Sequence, residues 1–229
     1  MRSVGLAVAL VIGCGGGPVA APAAPVRAPA AAVIAPGSEP IGLVPGETMA
    51  FEVKIAGLAA GEAQLAVGEL GEFQGHRAVV VKSRAETVGV VAIARHIIDE
   101  ATTVIDFDSG RPLTLDTVFE QNDERATASA TFTGNVAEIT YHPAGGKPAR
   151  TQKVDFGTTV LDAHAAMAQL RGWRPTRGAR RTVFVVSGRR PWRIDVTAVG
   201  VVAEPHRERA RRPRRRRRQV VLGVIGLAG

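Results

Sequence analysis

Alternating apolar and polar positions begin at Thr48 and predict a domain built from β-strands. Met49, Phe51, Val53 and Ile55 are separated by polar or small residues, as a strand with one buried and one solvated face requires. Further segments have strand character and are separated by turns rich in glycine, asparagine and aspartate. These segments cover residues 62–70, 77–87, 96–106, 113–121, 125–133, 135–142, 149–156, 181–186 and 192–202.

Two segments depart from this alternation. Residues 160–171 have apolar side chains at helical spacing, with Thr158 or Thr159 available as the N-cap and Gly172 at the end. Residues 88–94 are apolar without alternation, which fits a short helix or a buried loop covering one end of the sheet. The predicted fold is therefore mainly β, a curved antiparallel sheet or partly open barrel with one or two short helices. This pattern disfavours an α/β enzyme fold.

The N-terminus has the pattern of an export signal. Arg2 precedes a ten-residue apolar run, Val4 to Gly13, which is too short to span a bilayer of about 30 Å. Cys14, the one cysteine of the chain, follows Val11-Ile12-Gly13, a sequence that resembles the bacterial lipobox. We therefore expect residues 1–13 to be a lipoprotein signal peptide and Cys14 to be the lipidated N-terminus. The alternative is a generic signal peptide cleaved after a later alanine.

The remaining chain divides by composition into three parts. Residues 14–45 are rich in Gly and repeated Ala-Pro units, which favour an extended, disordered tether. Residues 46–202 contain the predicted strands and form the β-rich domain. Residues 203–229 are a low-complexity tail with an arginine run, and we hypothesise that this tail is frameshifted, which would leave a sheet edge exposed. A lipid-anchored location in the bacterial cell envelope is expected, at the outer membrane or periplasmic face.

Net charge does not indicate a nucleic-acid-binding protein. The chain carries a formal charge of +8, but residues 204–218 contain nine arginines and two glutamates, a net of +7, which leaves about +1 elsewhere. Such a tail would bind polyanions or anionic lipid if it is genuine. The expected partner is the membrane, through the N-terminal anchor, together with an apolar or glycan envelope ligand and no nucleic acid.

Candidate catalytic groups are few. The close His/acid pairs of the folded part are His164 with Asp162 and His96 with Asp99, and the predicted helix and strand would point the members of each pair to different faces. We expect Asp162 to cap or orient the helix and both histidines to lie at the surface or rim. The sequence contains no recognised catalytic, P-loop or dinucleotide motif, so no catalytic residue and no cofactor are predicted.

Three further features have a structural and a functional interpretation. A metal site built from His76, His96, His142 and His164 is an alternative that no spacing supports. Trp173 fits an aromatic anchor after the helix better than a ligand-stacking residue. The arginines around Trp192 are a nucleic-acid patch only if the expected compartment is ignored.

Several segments resemble the uncharacterised bacterial envelope family DUF3108. They are Pro45-Gly46-Glu47-Thr48-Met49-Ala50-Phe51-Glu52-Val53, then Gly57-Leu58-Ala59-Ala60-Gly61-Glu62-Ala63, and Asp162 to Arg171 in the predicted helix. The resemblance covers about residues 45–200 and implies an exported or lipid-anchored β-rich domain without an established activity. The expected function is non-enzymatic binding or a structural role in the envelope. The alternatives are an enzyme acting on envelope polysaccharide and polyanion binding through the arginine tail.

Overall fold

The computed structural model describes residues 41–55, 57–203 and 218–228, with the backbone alone for residues 200–203 and 218–228. The larger sheet contains β1 (Thr48–Ile55), β2 (Leu58–Val67), β3 (Gly71–Phe73), β4 (His76–Thr87), β5 (Ile97–Asp106), β6 (Pro112–Gln121), β7 (Glu124–Thr133), β8 (Val136–His142) and β9 (Arg150–Asp155). The smaller sheet contains β10 (Val160–Asp162), β11 (Arg180–Ser187), β12 (Arg190–Ala203) and β13 (Arg218–Ala228). The described helices are α1 (Gly89–Ala94) and α2 (Ala163–Gly172).

The larger sheet has nine strands, in the order β1-β2-β4-β5-β6-β7-β8-β9, with the short β3 paired to β4. Every neighbouring pair is antiparallel, because most successive strands are joined by hairpins. Within the described residues, β1 and β9 end the strand order and do not pair with each other, so the sheet is open. The prediction of a mainly β fold with an antiparallel sheet and short helices is confirmed.

The smaller sheet and α2 cover one face of the larger sheet, which we call the inner face. In the smaller sheet β10 is parallel to β11, β11 is antiparallel to β12, and β13 lies antiparallel to β12. The main core lies between the two layers. It joins Val79, Val81 and Ile105 of the larger sheet to Ala165 of α2 and Val185 of β11, each at most 3% exposed. Because α2 presents alanines to the sheet, the helix backbone can approach it closely.

The helix α2 begins three residues later than the sequence predicts. Residues 160–162 form β10, and Asp162, rather than Thr158 or Thr159, is the N-cap. Its carboxylate accepts hydrogen bonds from the backbone N–H groups of His164 at 3.0 Å and Ala165 at 2.9 Å. The apolar pair Val160 and Leu161 fitted both a first helical turn and a buried strand, and pairing with β11 decided the outcome.

Two predicted turns are shorter than expected. The segment 57–61 was predicted as a turn, but β2 already begins at Leu58, because a bulge between Val53 and Lys54 tightens the hairpin and Gly57 adopts a φ of 83°. The predicted turn 71–76 contains β3, which pairs with β4. Residues 89–94 form α1, as one of the two interpretations required, but none of its residues is buried.

The signal peptide 1–13, Cys14 and the tether up to residue 40 lie outside the described residues, as do the arginines of residues 204–217. In the described residues β13 pairs with β12 from Arg193 to Ala203, so this edge of β12 is covered. Whether the tail is frameshifted stays a prediction. Among the described helices, none is long and apolar enough to cross a membrane.

Candidate functional site: an open inner face beside a buried polar network

The inner face of the larger sheet is covered over one half and open over the other. Along β4, Val79 and Val81 are 1% and 0% exposed, whereas Ser83 and Ala85 are half-buried. Neighbouring β5 runs in the opposite direction and shows the same gradient, from fully buried Ile105 to exposed Asp99. The cover supplied by α2 and the smaller sheet therefore ends near the level of Ser83.

Beyond this boundary lies one continuous row of inward-facing side chains. Cross-strand pairing places Phe51 opposite Ala63, Ala63 opposite Ala85, Ala85 opposite Asp99, and Asp99 opposite Phe119. We call these five residues the open row. Phe119 is 39% exposed and the other apolar members are half-buried. Four of the five side chains are apolar, so an apolar strip of the sheet surface is left uncovered.

More apolar side chains are exposed at the same end of the sheet. Ile55 and Leu58, in the β1–β2 hairpin, are 51% and 65% exposed, and Val90 and Ile93 of α1 are 67% and 88% exposed. The helix α1 is held there because the N–H of Val88 donates to the carbonyl of Ala60 at 3.0 Å. We call these four residues the apolar rim. Exposed apolar groups at this density are unusual for a surface that meets water alone.

The covered half ends in a buried polar network. Nε2 of His164 lies 2.8 Å from the Ser83 hydroxyl, and Nδ1 lies 2.7 Å from the Thr103 hydroxyl, which donates to Asp162 Oδ2 at 2.6 Å. Thr103, Asp162 and His164 are 0%, 1% and 5% exposed, while Ser83 is half-buried. The network thus runs from the fully buried N-cap of α2 to the margin of the open row.

The hydrogen-bond directions in this network follow from donor counting. Thr103 gives its one hydroxyl hydrogen to Asp162, so its oxygen accepts from Nδ1–H of His164. In the neutral ring Nε2 is then an acceptor, and Ser83 donates to it. Burial lowers the pKa of His164, with the Asp162 carboxylate opposing that effect, so the neutral ring is favoured. The oxygen of Ser83 keeps lone pairs that no described donor uses.

The structure corrects the expected position of His164 and shows no contact between the described side chains of His96 and Asp99. Asp162 caps α2, which is one of the two roles expected for it, but His164 is buried, not at the surface or rim. His96 immediately precedes β5 and is exposed, and its backbone N–H donates to Asn122 Oδ1. Within the described residues, no hydrogen bond joins its ring to Asp99. The described residues contain no group of three or more His, Asp or Glu that could hold a metal ion.

The aromatic and arginine candidates have structural contacts. Trp173 is 5% exposed, packs with Val196 and Ala198, and lies under the Arg181 guanidinium at 5.5 Å from the ring centroid. This placement supports the anchoring role. Arg189 lies over the Tyr141 ring at 4.9 Å, which places the β11–β12 hairpin against the larger sheet.

A groove lies on the opposite, outer face of the larger sheet. This groove has a volume of about 710 Å³, and its lining comes from β1, β2, β4 and β5. Leu65 and Ser83 point inward, so alternation gives the outer lining to Gln64, Lys82 and Arg84 and their neighbours. Arg84 forms ion pairs with Glu86 and Glu100. Glu100 is the one carboxylate in the lining, so this groove does not provide the paired carboxylates expected of a glycosidase.

Ser83 and Thr103 were not singled out from the sequence. Both are polar residues at inward positions of strands that alternation predicts, and that mismatch is the signal that could have found them. Their partners are 81 residues away for Ser83 and 61 or 59 residues away for Thr103. Such contacts depend on how α2 crosses the sheet, which strand patterns do not specify.

The comparisons with known proteins give one match. The model of the family described as "Protein of unknown function (DUF3108)" matches residues 50–206, which include the open row and the buried network. Neither the curated proteins nor the solved structures give a match. The resemblance found in the sequence motifs is therefore confirmed, and this chain belongs to the DUF3108 family.

Proposed function

We propose that this chain is a lipid-anchored envelope protein whose β domain binds the apolar chain of an amphiphilic envelope component, without catalysis. The observation that carries this proposal is the open row, in which Phe51, Ala63, Ala85 and Phe119 leave an apolar strip of the inner face uncovered. Burying apolar surface at about 25 cal/mol per Å² would supply the driving force. The apolar rim extends the same surface at the end of the sheet.

The envelope location is supported by the sequence. Cys14 after Val11-Ile12-Gly13 would receive the acyl chains, and residues 14–45 would give the domain reach from the membrane. Metabolic labelling with a palmitate analogue tests this part. We expect label on the wild-type chain and none on Cys14→Ser, whereas an unlabelled wild-type chain would refute the anchor.

Binding is favoured over hydrolysis by the surroundings of Ser83. A serine, a histidine and an acid joined by hydrogen bonds invite comparison with a catalytic triad. However, β4 pairs with β2 on one side and β5 on the other, so the backbone N–H groups around Ser83 are used in the sheet. Acyl transfer needs such donors free to stabilise an oxyanion. Asp162 is also committed to capping α2.

Native mass spectrometry of the chain purified from its own host tests the proposal. We expect a co-purified amphiphile on the wild-type protein and its loss in Ala85→Phe, which fills the middle of the open row. The matched control is Ala66→Phe, which adds the same ring to an exposed outer-face position of β2. Retention of the ligand by Ala85→Phe, or its loss in both variants, would contradict binding on the open row.

A further inference from the structure

Asp99 is a charged group in the middle of the apolar open row. It lies between Ala85 of β4 and Phe119 of β6 in the cross-strand pairing. No described residue donates a hydrogen bond to its carboxylate or forms an ion pair with it. The side chain reaches solvent on the open side, while desolvation by the floor around it raises the pKa of Asp99. An exposed carboxylate with no described partner, set among apolar side chains, is accessible to a cationic group.

Ser83 supplies a second acceptor beside Asp99. Its hydroxyl hydrogen is directed to Nε2 of His164, so its oxygen remains an acceptor, and Ser83 lies in the row of side chains next to the open row. Ser83 of β4 pairs with Ala101 of β5, and Asp99 lies two positions from Ala101 on β5. Ser83 and Asp99 are therefore diagonal neighbours, about 7–8 Å apart. A head group bound here therefore meets two acceptors, one of them negatively charged.

We infer that the open row binds a single-chain amphiphile with a positively charged amine head group, held by Asp99 and Ser83. This inference rests on the proposed function and adds the class of head group. An ammonium group has three donors and no acceptor, which matches the carboxylate and the hydroxyl oxygen. A carboxylate or phosphate head group would instead face Asp99 as a like charge.

The dimensions of the open row suit a chain of moderate length. From Asp99 to Phe51 the row crosses β5, β4, β2 and β1, which is three strand spacings of about 4.8 Å, or roughly 14 Å in total. That distance is comparable to an extended dodecyl chain. The chain would lie across Ala85 and Ala63, whose small side chains leave the space, and end against Phe51.

Calorimetric titration of the full chain with dodecylamine, dodecanoate and dodecanol, each below its micelle concentration, tests the inference. We expect dodecylamine to bind about tenfold tighter than dodecanoate, because the charge of Asp99 favours one and opposes the other. Asp99→Asn should weaken dodecylamine binding about tenfold and leave dodecanol binding unchanged. Asp116→Asn, an exposed outer-face carboxylate on β6, is the matched control and should change neither.

The outcomes separate the two proposals. Dodecanol binding without a preference for the amine, or an amine preference that survives in Asp99→Asn, would overturn the head-group inference alone. If none of the three compounds binds, the proposed function itself fails. An equal loss of amine binding in Asp99→Asn and Asp116→Asn would show attraction by overall charge and would also overturn the inference.

Discussion

Thr103→Val is the substitution that tests the buried network most cleanly. Valine keeps the shape and branching of threonine but removes the hydroxyl that donates to Asp162 and accepts from His164. The Nδ1–H of His164 then has no described acceptor, since Asp162 Oδ2 is 3.7 Å away. Asp162 loses one of its donors while keeping the backbone N–H groups that it caps.

The expected cost follows from the burial of these groups. Each buried polar group left without a partner costs about 1–3 kcal/mol, and Thr103 serves two groups that are at most 5% exposed. We therefore expect Thr103→Val to lower the free energy of unfolding by about 3 kcal/mol. For a chain of this size that corresponds to a fall of about 6–12 °C in the unfolding midpoint.

Thermal unfolding followed by circular dichroism measures this effect. The matched control is Thr102→Val, one residue earlier on β5, where the side chain faces the outer groove and has no described hydrogen bond. A surface change of this kind should stay within about 0.5 kcal/mol. Equal midpoints for Thr103→Val and Thr102→Val would refute the assignment of the hydroxyl as the link between Asp162 and His164.

Three further predictions follow from the same structure. Because burial lowers the pKa of His164 below 6.5, the free energy of unfolding should be full above about pH 6.5 and fall as the pH drops from there through the folded-state pKa. Urea unfolding at pH 7.5 and 5.5 should show a smaller loss of unfolding free energy at the lower pH in His164→Gln than in the wild type, whereas the exposed His142→Gln should behave as the wild type. A loss that is unchanged in His164→Gln would contradict this. Gly42→Ala should cost about 1–3 kcal/mol in unfolding free energy, because the new Cβ would lie 2.3 Å from Cβ of Arg171. The control is Gly71→Ala, whose new Cβ meets nothing within 4 Å. Equal unfolding midpoints for the two variants would contradict this, because they would show that α2 shifts without cost. Arg171→Met should cost about 1 kcal/mol by removing the part-buried ion pair with Glu47 at 2.7 Å, while Arg77→Met, whose pair with Asp108 is exposed, should not measurably lower the midpoint.

Strand positions could be predicted from the sequence because they depend on local alternation. Period two located β1 and β4 to β9 within a residue or two, since one face of each strand packs and the other meets solvent. The wrong strand boundaries lie where pairing with another strand, rather than local alternation, determined where an element begins. A bulge shortened the turn before β2, and pairing with β11 turned residues 160–162 into a strand.

The candidate site could be predicted only in part. Asp162 was expected to cap or orient α2, with Thr158 or Thr159 as the alternative N-caps, because N-cap preferences are local information but the exact start of a helix is not. The burial of His164 could not be foreseen, since it depends on α2 packing against Ser83 and Thr103 of the adjacent strands β4 and β5, which are 81 and 61 residues away in sequence. Nor could the open row, because the sequence gives its inward alternation but not where the smaller sheet ends.

The most direct test of the central claim is a measurement of whether an apolar chain contacts the open row. Tryptophan is introduced either in Phe51→Trp, on the inner face where the chain would end, or in Glu52→Trp, the adjacent exposed residue on the outer face of β1, with the native Trp173 and Trp192 common to both variants. Fluorescence quenching by 12-bromododecanol then reports proximity to the chain. We predict strong, saturable quenching in Phe51→Trp, which meets the brominated end of the chain, and none beyond the native background in Glu52→Trp. Equal quenching in both variants, or none in either, would contradict binding on the open inner face.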